Sequence, residues 1–191
     1  MSTQPIPRLT PAQYLALERS AEIKGEHFDG QVFAMVEASR EHNLIVGNLV
    51  GELREKLRGG PCEVYPSDMR VKVDATGLYT YPDVVVVCDQ PRFEDEHRDT
   101  LLNPTLLIEV LSESTEKYDR GKKSGHYRQL AWLQEYVLVS QYEPHIEHYA
   151  RQDEGHWLLS EALGQEASIA LPAVGARLLL SEIYARVALS G

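Results

Sequence analysis

Two short segments constrain this chain more than any other. Residues 83–88 read DVVVVC and residues 105–111 read TLLIEVL, and both are apolar on both faces. Strands of that kind lie in the centre of a sheet covered on both sides. Each carries one acidic residue, Asp83 at the start of the first and Glu109 inside the second. A carboxylate in a central strand is costly unless it meets a metal, a cation or hydrogen bonds. Two carboxylates from adjacent strands can share one divalent ion, and oxygen ligands favour hard ions such as Mg²⁺ or Mn²⁺. Taken singly, Asp83 reads as the cap of a turn after Pro82 and Glu109 as the partner of an arginine. Taken together, they point to a site.

The rest of the chain supplies an α/β setting. Thr10 and Pro11 start a short helix running to about Ala21. Asp29-Gly30 between two extended runs marks a hairpin. A second helix fits residues 40–58, with Leu44, Leu49, Leu53 and Leu57 as its stripe and Gly59-Gly60 as its stop. CEVYPS and MRVKVD are short strands, the latter with Arg70, Lys72 and Asp74 on a polar face. The polar segment 89–104 reads as a loop. A third helix runs from Ser114 or Thr115 to about Leu133, and strands EYVLVSQ, HIEHYAR, GHWLLSEAL and ASIALPA precede a closing helix. Trp132, Tyr136 and Trp157 read as core. His145 and His148, three apart on a strand, point to opposite faces and make a poor metal pair.

The formal net charge is −10. That counts against a protein coating nucleic acid by charge alone, which needs clustered Lys and Arg. A nuclease with a local basic patch, such as KYDRGKKSGHYR at residues 117–128, remains compatible. There is no apolar run of membrane-spanning length and no secretory signal at the N-terminus, so the expectation is a cytosolic protein without a membrane segment. Cys62 and Cys88 look too few and too isolated for a disulfide framework or a zinc site. A single domain over 1–191 is expected, with a core at about 22–142 and C-terminal strands and a helix at about 145–189.

An ordered series of motifs then carries a resemblance. Tyr81-Pro82-Asp83 before VVVVC, and Leu107-Ile108-Glu109-Val110-Leu111-Ser112, resemble the PD-(D/E)XK nuclease superfamily. Glu26 before Asp29-Gly30, His42, Ser114-Thr115, Asp119, Lys123 to Tyr127 and Glu135-Tyr136 extend the match to its Uma branch of restriction-endonuclease-like proteins. The resemblance covers roughly residues 26–184. It implies a mixed sheet flanked by helices with additional C-terminal strands, and Mg²⁺- or Mn²⁺-dependent hydrolysis of DNA phosphodiesters. It also implies metal ligation by Asp83, Glu109 and the Val110 carbonyl. One position departs from the pattern. The superfamily lysine follows the glutamate by two residues, where this chain has Leu111.

Lys123 is the expected replacement, because Asp119, Lys123 and Tyr127 share one helix face at intervals of four. Lys72 is the runner-up. Truncating Lys123 to Ala is expected to abolish cleavage and leave the melting temperature nearly unchanged. Glu26 and His42 are further candidates, with a surface hairpin-edge acid and a helix cap as their plainer readings. A homodimer is expected, because cutting both strands of DNA often uses paired sites. Two rivals remain: a binding or regulatory protein that kept the fold and lost turnover, and a metal-dependent enzyme acting on a smaller phosphate ester.

Overall fold

The computed structural model describes residues 8–35 and 37–189. Thr10 caps helix α1 (Pro11–Glu18): its hydroxyl accepts from the Gln13 N–H, and the Gln13 side chain accepts from the Thr10 N–H. Strands β1 (Gly25–Phe28) and β2 (Gln31–Ala34) meet at Asp29 and Gly30, whose φ angles of 48° and 77° are those a type I′ turn requires. Helix α2 (Arg40–Lys56) is capped by Ser39, and its buried stripe is Ile45, Leu49 and Leu53. Ile45 takes the place the sequence reading assigned to Leu44, which is only half-buried.

Strands β3 (Cys62–Pro66), β4 (Arg70–Val73), β5 (Leu78–Thr80), β6 (Val84–Cys88), β7 (Thr100–Leu101) and β8 (Leu106–Leu111) follow. Next come helix α3 (Glu116–Tyr118), a π turn (Asp119–Lys123) and helix α4 (Ser124–Tyr127). The chain continues with β9 (Glu135–Ser140), β10 (His145–Arg151), β11 (Trp157–Leu163), β12 (Ser168–Leu171), β13 (Ala176–Leu179) and α5 (Leu180–Ile183). The central sheet has the order β11-β10-β9-β8-β6-β3 and is mixed, with β8 and β9 parallel and the other neighbours antiparallel. A second sheet has the order β2-β1-β5-β4-β7, and β12 pairs with β13.

Strand alternation divides the core into two layers. Val84, Val86, Leu106, Ile108 and Val110 face α2, β12–β13 and α5. Val85, Val87, Leu107 and Leu111 face the second sheet and α4, meeting Val71, Val73, Leu78 and Tyr127. By the same alternation Asp83 falls with Val85 and Val87, and Glu109 with Leu107 and Leu111. Both acids therefore belong to the layer between the two sheets.

Several local expectations are overturned. The third helix ends at Tyr127 rather than near Leu133 and is interrupted by the π turn. The polar segment 89–104 contains β7, which pairs in parallel with β4. Arg70, expected on a polar face, is buried: its guanidinium donates to Thr100 and Tyr81 and pairs with Asp99. Trp132 is 48% exposed and lies against the Arg92 guanidinium rather than in the core. Cys62 and Cys88 form a disulfide. They are 26 positions apart in sequence but stand opposite each other across the β3–β6 pair, a register their spacing could not reveal.

Candidate active site

A cleft of about 1150 Å³ opens where the β1–β2 hairpin, the N-terminal end of α2, the C-terminal end of β8 and the π turn converge. Its lining includes Glu26, His42, Asp83, Glu109, Val110, Asp119 and Lys123. Asp83 immediately precedes β6, whose Val84 is in register with Ile108, so Asp83 sits beside Glu109 and Val110. The Val110 N–H donates to Asp83 Oδ2 at 2.7 Å, and His42 Nε2 lies 3.2 Å from the same oxygen. In an antiparallel pair a residue's N–H and C=O face the same neighbour. The Val110 carbonyl accordingly faces past the end of β6, toward the cleft.

Glu109 is held from the helical side. The Tyr127 hydroxyl donates to Glu109 Oε1 at 2.6 Å, and Lys123 Nζ is 2.9 Å from that atom. Lys123 also contacts Glu26 Oε1 at 3.0 Å and Asp119 Oδ1 at 3.6 Å. The Thr80 hydroxyl donates to Glu26 Oε1 at 2.5 Å and lies 3.3 Å from the Tyr127 oxygen. Asp83 Oδ1 and Glu109 Oε2 take no part in these bonds.

The structure thus brings eight of the expected residues to one place: Glu26, His42, Asp83, Glu109, Val110, Asp119, Lys123 and Tyr127. It also puts Leu111 in the core beside Tyr127, while the ammonium from Lys123 reaches the glutamate from the helix. Lys72 is elsewhere. Its ammonium pairs with Glu94 at 2.8 Å and Asp74 at 3.0 Å. Glu26 is not a surface acid: its side chain is 13% exposed and turned inward. His42 reaches Asp83 with its ring, and Ser39 takes the capping role. Lys123 lies buried among carboxylates with its side chain only 7% exposed, which argues against the expectation that its truncation leaves the melting temperature nearly unchanged.

Thr80 was missed by sequence reasoning. Its signal was its place directly before Tyr81-Pro82-Asp83. The π turn was also missed. It widens the helix by one residue and sets Asp119 and Lys123 on the same side of the cleft.

The electrostatics follow from burial. Desolvation pushes the Glu109 carboxyl well above the usual range, Lys123 opposes this, and Asp119 and Asp83 add to it. Desolvation raises Asp119 too, against Lys123 and Thr115. Burial alone would lower Lys123, but Glu109, Tyr127, Glu26 and Asp119 hold its ammonium well above the ordinary value. Three carboxyl groups, Glu26, Glu109 and Asp119, therefore share the Lys123 ammonium, and a fourth, Asp83, stands beside them without contacting it. That surplus, carried by hard oxygen donors facing a cleft, fits a divalent cation. Outside the cleft, His145, Glu147 and Glu161 bring ligand atoms within 4.8 Å of one another, but Arg120 and Tyr149 already occupy both Glu147 oxygens. His148 turns away toward Glu135.

Fold and cleft together define a mixed α/β protein of nuclease type with a buried carboxylate–lysine cluster. The chain belongs to the Uma2 family, described as "Putative restriction endonuclease", whose model matches residues 11–181. Two proteins of Synechocystis sp. (strain ATCC 27184 / PCC 6803 / Kazusa) are similar. "Uncharacterized protein slr1290" is 39% identical over 94% of this chain and 93% of its own length. "Uncharacterized protein sll1609" is 37% identical over 84% of this chain and 91% of its own length. The fold is shared with the crystal structure of "a putative nuclease belonging to DUF820" from Anabaena variabilis ATCC 29413. That comparison has a TM-score of 0.72 at 17% identity and covers 92% of this chain and 97% of the other. Among the described residues, no helix is long and apolar enough to cross a membrane.

Proposed function

We propose that this chain is a metal-dependent endonuclease that hydrolyses DNA phosphodiesters at the Asp83–Glu109 cleft. The observation that carries the reading is the gathering of four largely buried carboxyl groups, Asp83 and Glu109 at adjacent strand ends with Glu26 and Asp119 beside them, around a single lysine ammonium among the described contacts. Asp83, Glu109 and the Val110 carbonyl would hold one or two Mg²⁺ or Mn²⁺ ions. The bound ion would supply an activated water and polarise the phosphate.

The chain's own residues do the remaining work. The Val110 N–H and His42 fix the Asp83 carboxylate, leaving Oδ1 turned out of that bond pair. Tyr127 fixes Glu109 through Oε1 and leaves Oε2 available. Lys123 holds a positive charge beside the position where negative charge develops on the phosphate. Asp119 and Glu26 orient the ammonium. Two chains acting together are part of this reading. Edge strand β11, with exposed Leu158, Leu159 and Leu163, supplies a surface for a second copy.

The test is incubation of purified protein with varied DNA substrates in Mg²⁺, Mn²⁺ or chelator, beside Glu109→Ala and with light scattering for mass. Metal-dependent cleavage lost in Glu109→Ala supports the reading. Equal cleavage by the variant, or none on any DNA, overturns it.

A further inference from the structure

The same cleft has a mouth whose chemistry does not suit a duplex backbone. Phe33 on β2 is 52% exposed, Tyr142 after β9 is 43% exposed, and Ile23 is 68% exposed; all three line the opening. Phe28 and Tyr118 also line the cleft. The cleft exceeds the roughly 300–1,000 Å³ of a typical small-molecule pocket. Lys24, Lys122 and Lys123 are the only lysines among its described lining residues, and no arginine is among them. Lys123 is already shared among three carboxylates and Lys24 is paired with Asp68. Binding a duplex through its phosphates requires many free cations along two strands. Exposed aromatic rings bind unpaired bases, because every base offers a face on which to stack.

We propose that this cleft admits an unpaired DNA strand, whose bases stack on Phe33 and Tyr142 while one phosphate lies over Asp83 and Glu109. The proposal rests on the hydrolytic reading above and narrows its substrate to single-stranded DNA, as in tails, flaps or melted junctions. In a duplex the bases are stacked on each other and show only their edges, so the rings at the mouth gain no partner. Phe28, Phe33, Tyr118 and Tyr142 line the same cleft as Asp83 and Glu109, so the rings and the carboxylates are open to one ligand.

The test separates binding from turnover. Fluorescence anisotropy in chelator compares one labelled oligonucleotide as a single strand, as a blunt duplex and as its RNA equivalent. The single DNA strand should bind at least tenfold more tightly than the duplex. Phe33→Ala and Tyr142→Ala should each weaken single-strand binding by about tenfold, the size of one lost stacking contact. Leu179→Ala, an exposed position on β13 outside the cleft lining, should leave it unchanged. A 2-aminopurine base in the single strand should change its emission on binding to wild type and not to Phe33→Ala.

Equal or tighter duplex binding overturns the proposal, as does single-strand binding indifferent to Phe33. RNA binding as tight as DNA binding overturns the assignment to DNA. If Phe33→Ala instead converts a dimer to a monomer, the patch is a surface between copies of the chain and the proposal fails. Strand preference without cleavage of any substrate in Mg²⁺ or Mn²⁺ would sustain this proposal as a binding property while overturning the hydrolytic reading.

Discussion

Lys123 Nζ stands 2.9 Å from Glu109 Oε1 and 3.0 Å from Glu26 Oε1, so one ammonium bridges a strand of the central sheet and a strand of the second sheet. The lysine arrives from a helical turn and not from the strand that carries the glutamate. Leu111, where the related pattern places a cation, is packed in the core instead.

Removing that ammonium should affect both stability and rate. Breaking a buried pair by deleting one partner leaves uncompensated charge and costs on the order of 3 kcal/mol. Lys123→Met is expected to lower the denaturant midpoint accordingly, with partial relief from carboxylate protonation. Turnover should fall by ~10²–10³ as a charge contact to the transition state is lost. Lys72→Ala, whose parent ammonium faces Glu94, should leave turnover near wild type. An unchanged denaturant midpoint for Lys123→Met would mean that the pair contributes nothing.

The Glu109 carboxyl should make the protein less stable as pH rises. Its folded value lies well above its ordinary 4.5, mainly through desolvation. The folded state then binds more protons than the unfolded state above that pH, so stability declines until the folded value is passed. Glu109→Gln removes this liability. In chelator, the melting temperature of the variant relative to wild type is expected to rise from pH 5 to pH 8, on top of a pH-independent cost for the contact it loses with Lys123. Added Mg²⁺ should raise the wild-type melting temperature and leave the variant unmoved. A difference that does not move in the variant's favour between pH 5 and pH 8 would contradict the argument.

Asp99 should act in the opposite direction. Arg19, at 2.7 Å, and Arg70, at 3.0 Å, hold its carboxyl well below the ordinary 3.8, with desolvation opposing them. A depressed carboxyl stabilises the fold above its unfolded value, and the contribution is lost as pH falls through the folded value. The side chain is about one-third exposed, so screening holds the effect to on the order of 1 kcal/mol. Asp99→Asn should lower the urea midpoint at pH 7 and converge with wild type as the medium is acidified below the ordinary value. A constant difference across that range would assign the effect to packing.

The Cys62–Cys88 bond ties the edge strand β3 to β6. Cross-linking residues at this separation restricts the unfolded chain and is worth about 3 kcal/mol. Thermal unfolding with and without dithiothreitol should therefore differ by several degrees. Cys62→Ser should match the reduced wild type in both conditions. Identical melting in both conditions would show that the bond does not contribute.

Reading forward from sequence worked where a local rule decides the outcome. The Asp29-Gly30 turn, the Thr10 cap and the apolar runs around Asp83 and Glu109 each depend on neighbours within a few residues. Interval-of-four spacing put Asp119, Lys123 and Tyr127 together, whereas the shared face of Asp83 and Glu109 needed the β6–β8 register. What stayed hidden depends on pairing at a distance. The disulfide needs the β3–β6 register, the burial of Arg70 needs Tyr81 and Asp99, and the role of Thr80 needs Glu26 from another strand. The π turn within DRGKK carries no local signal that the periodicity reading could use.

The bonds from Thr80 to Glu26, from Lys123 to Glu26 and Glu109, and from Tyr127 to Glu109 join two sheets and a helix at one point. The cluster therefore behaves like a keystone: it exists only while both sheets are seated, and no single element can preform it. Slow hydrogen exchange at the β8 and β5 amides should persist as long as the cluster does, and both should vanish in one cooperative step. A preparation heated through that step would lose its cleft and its interior together, with no partly folded form retaining the first without the second.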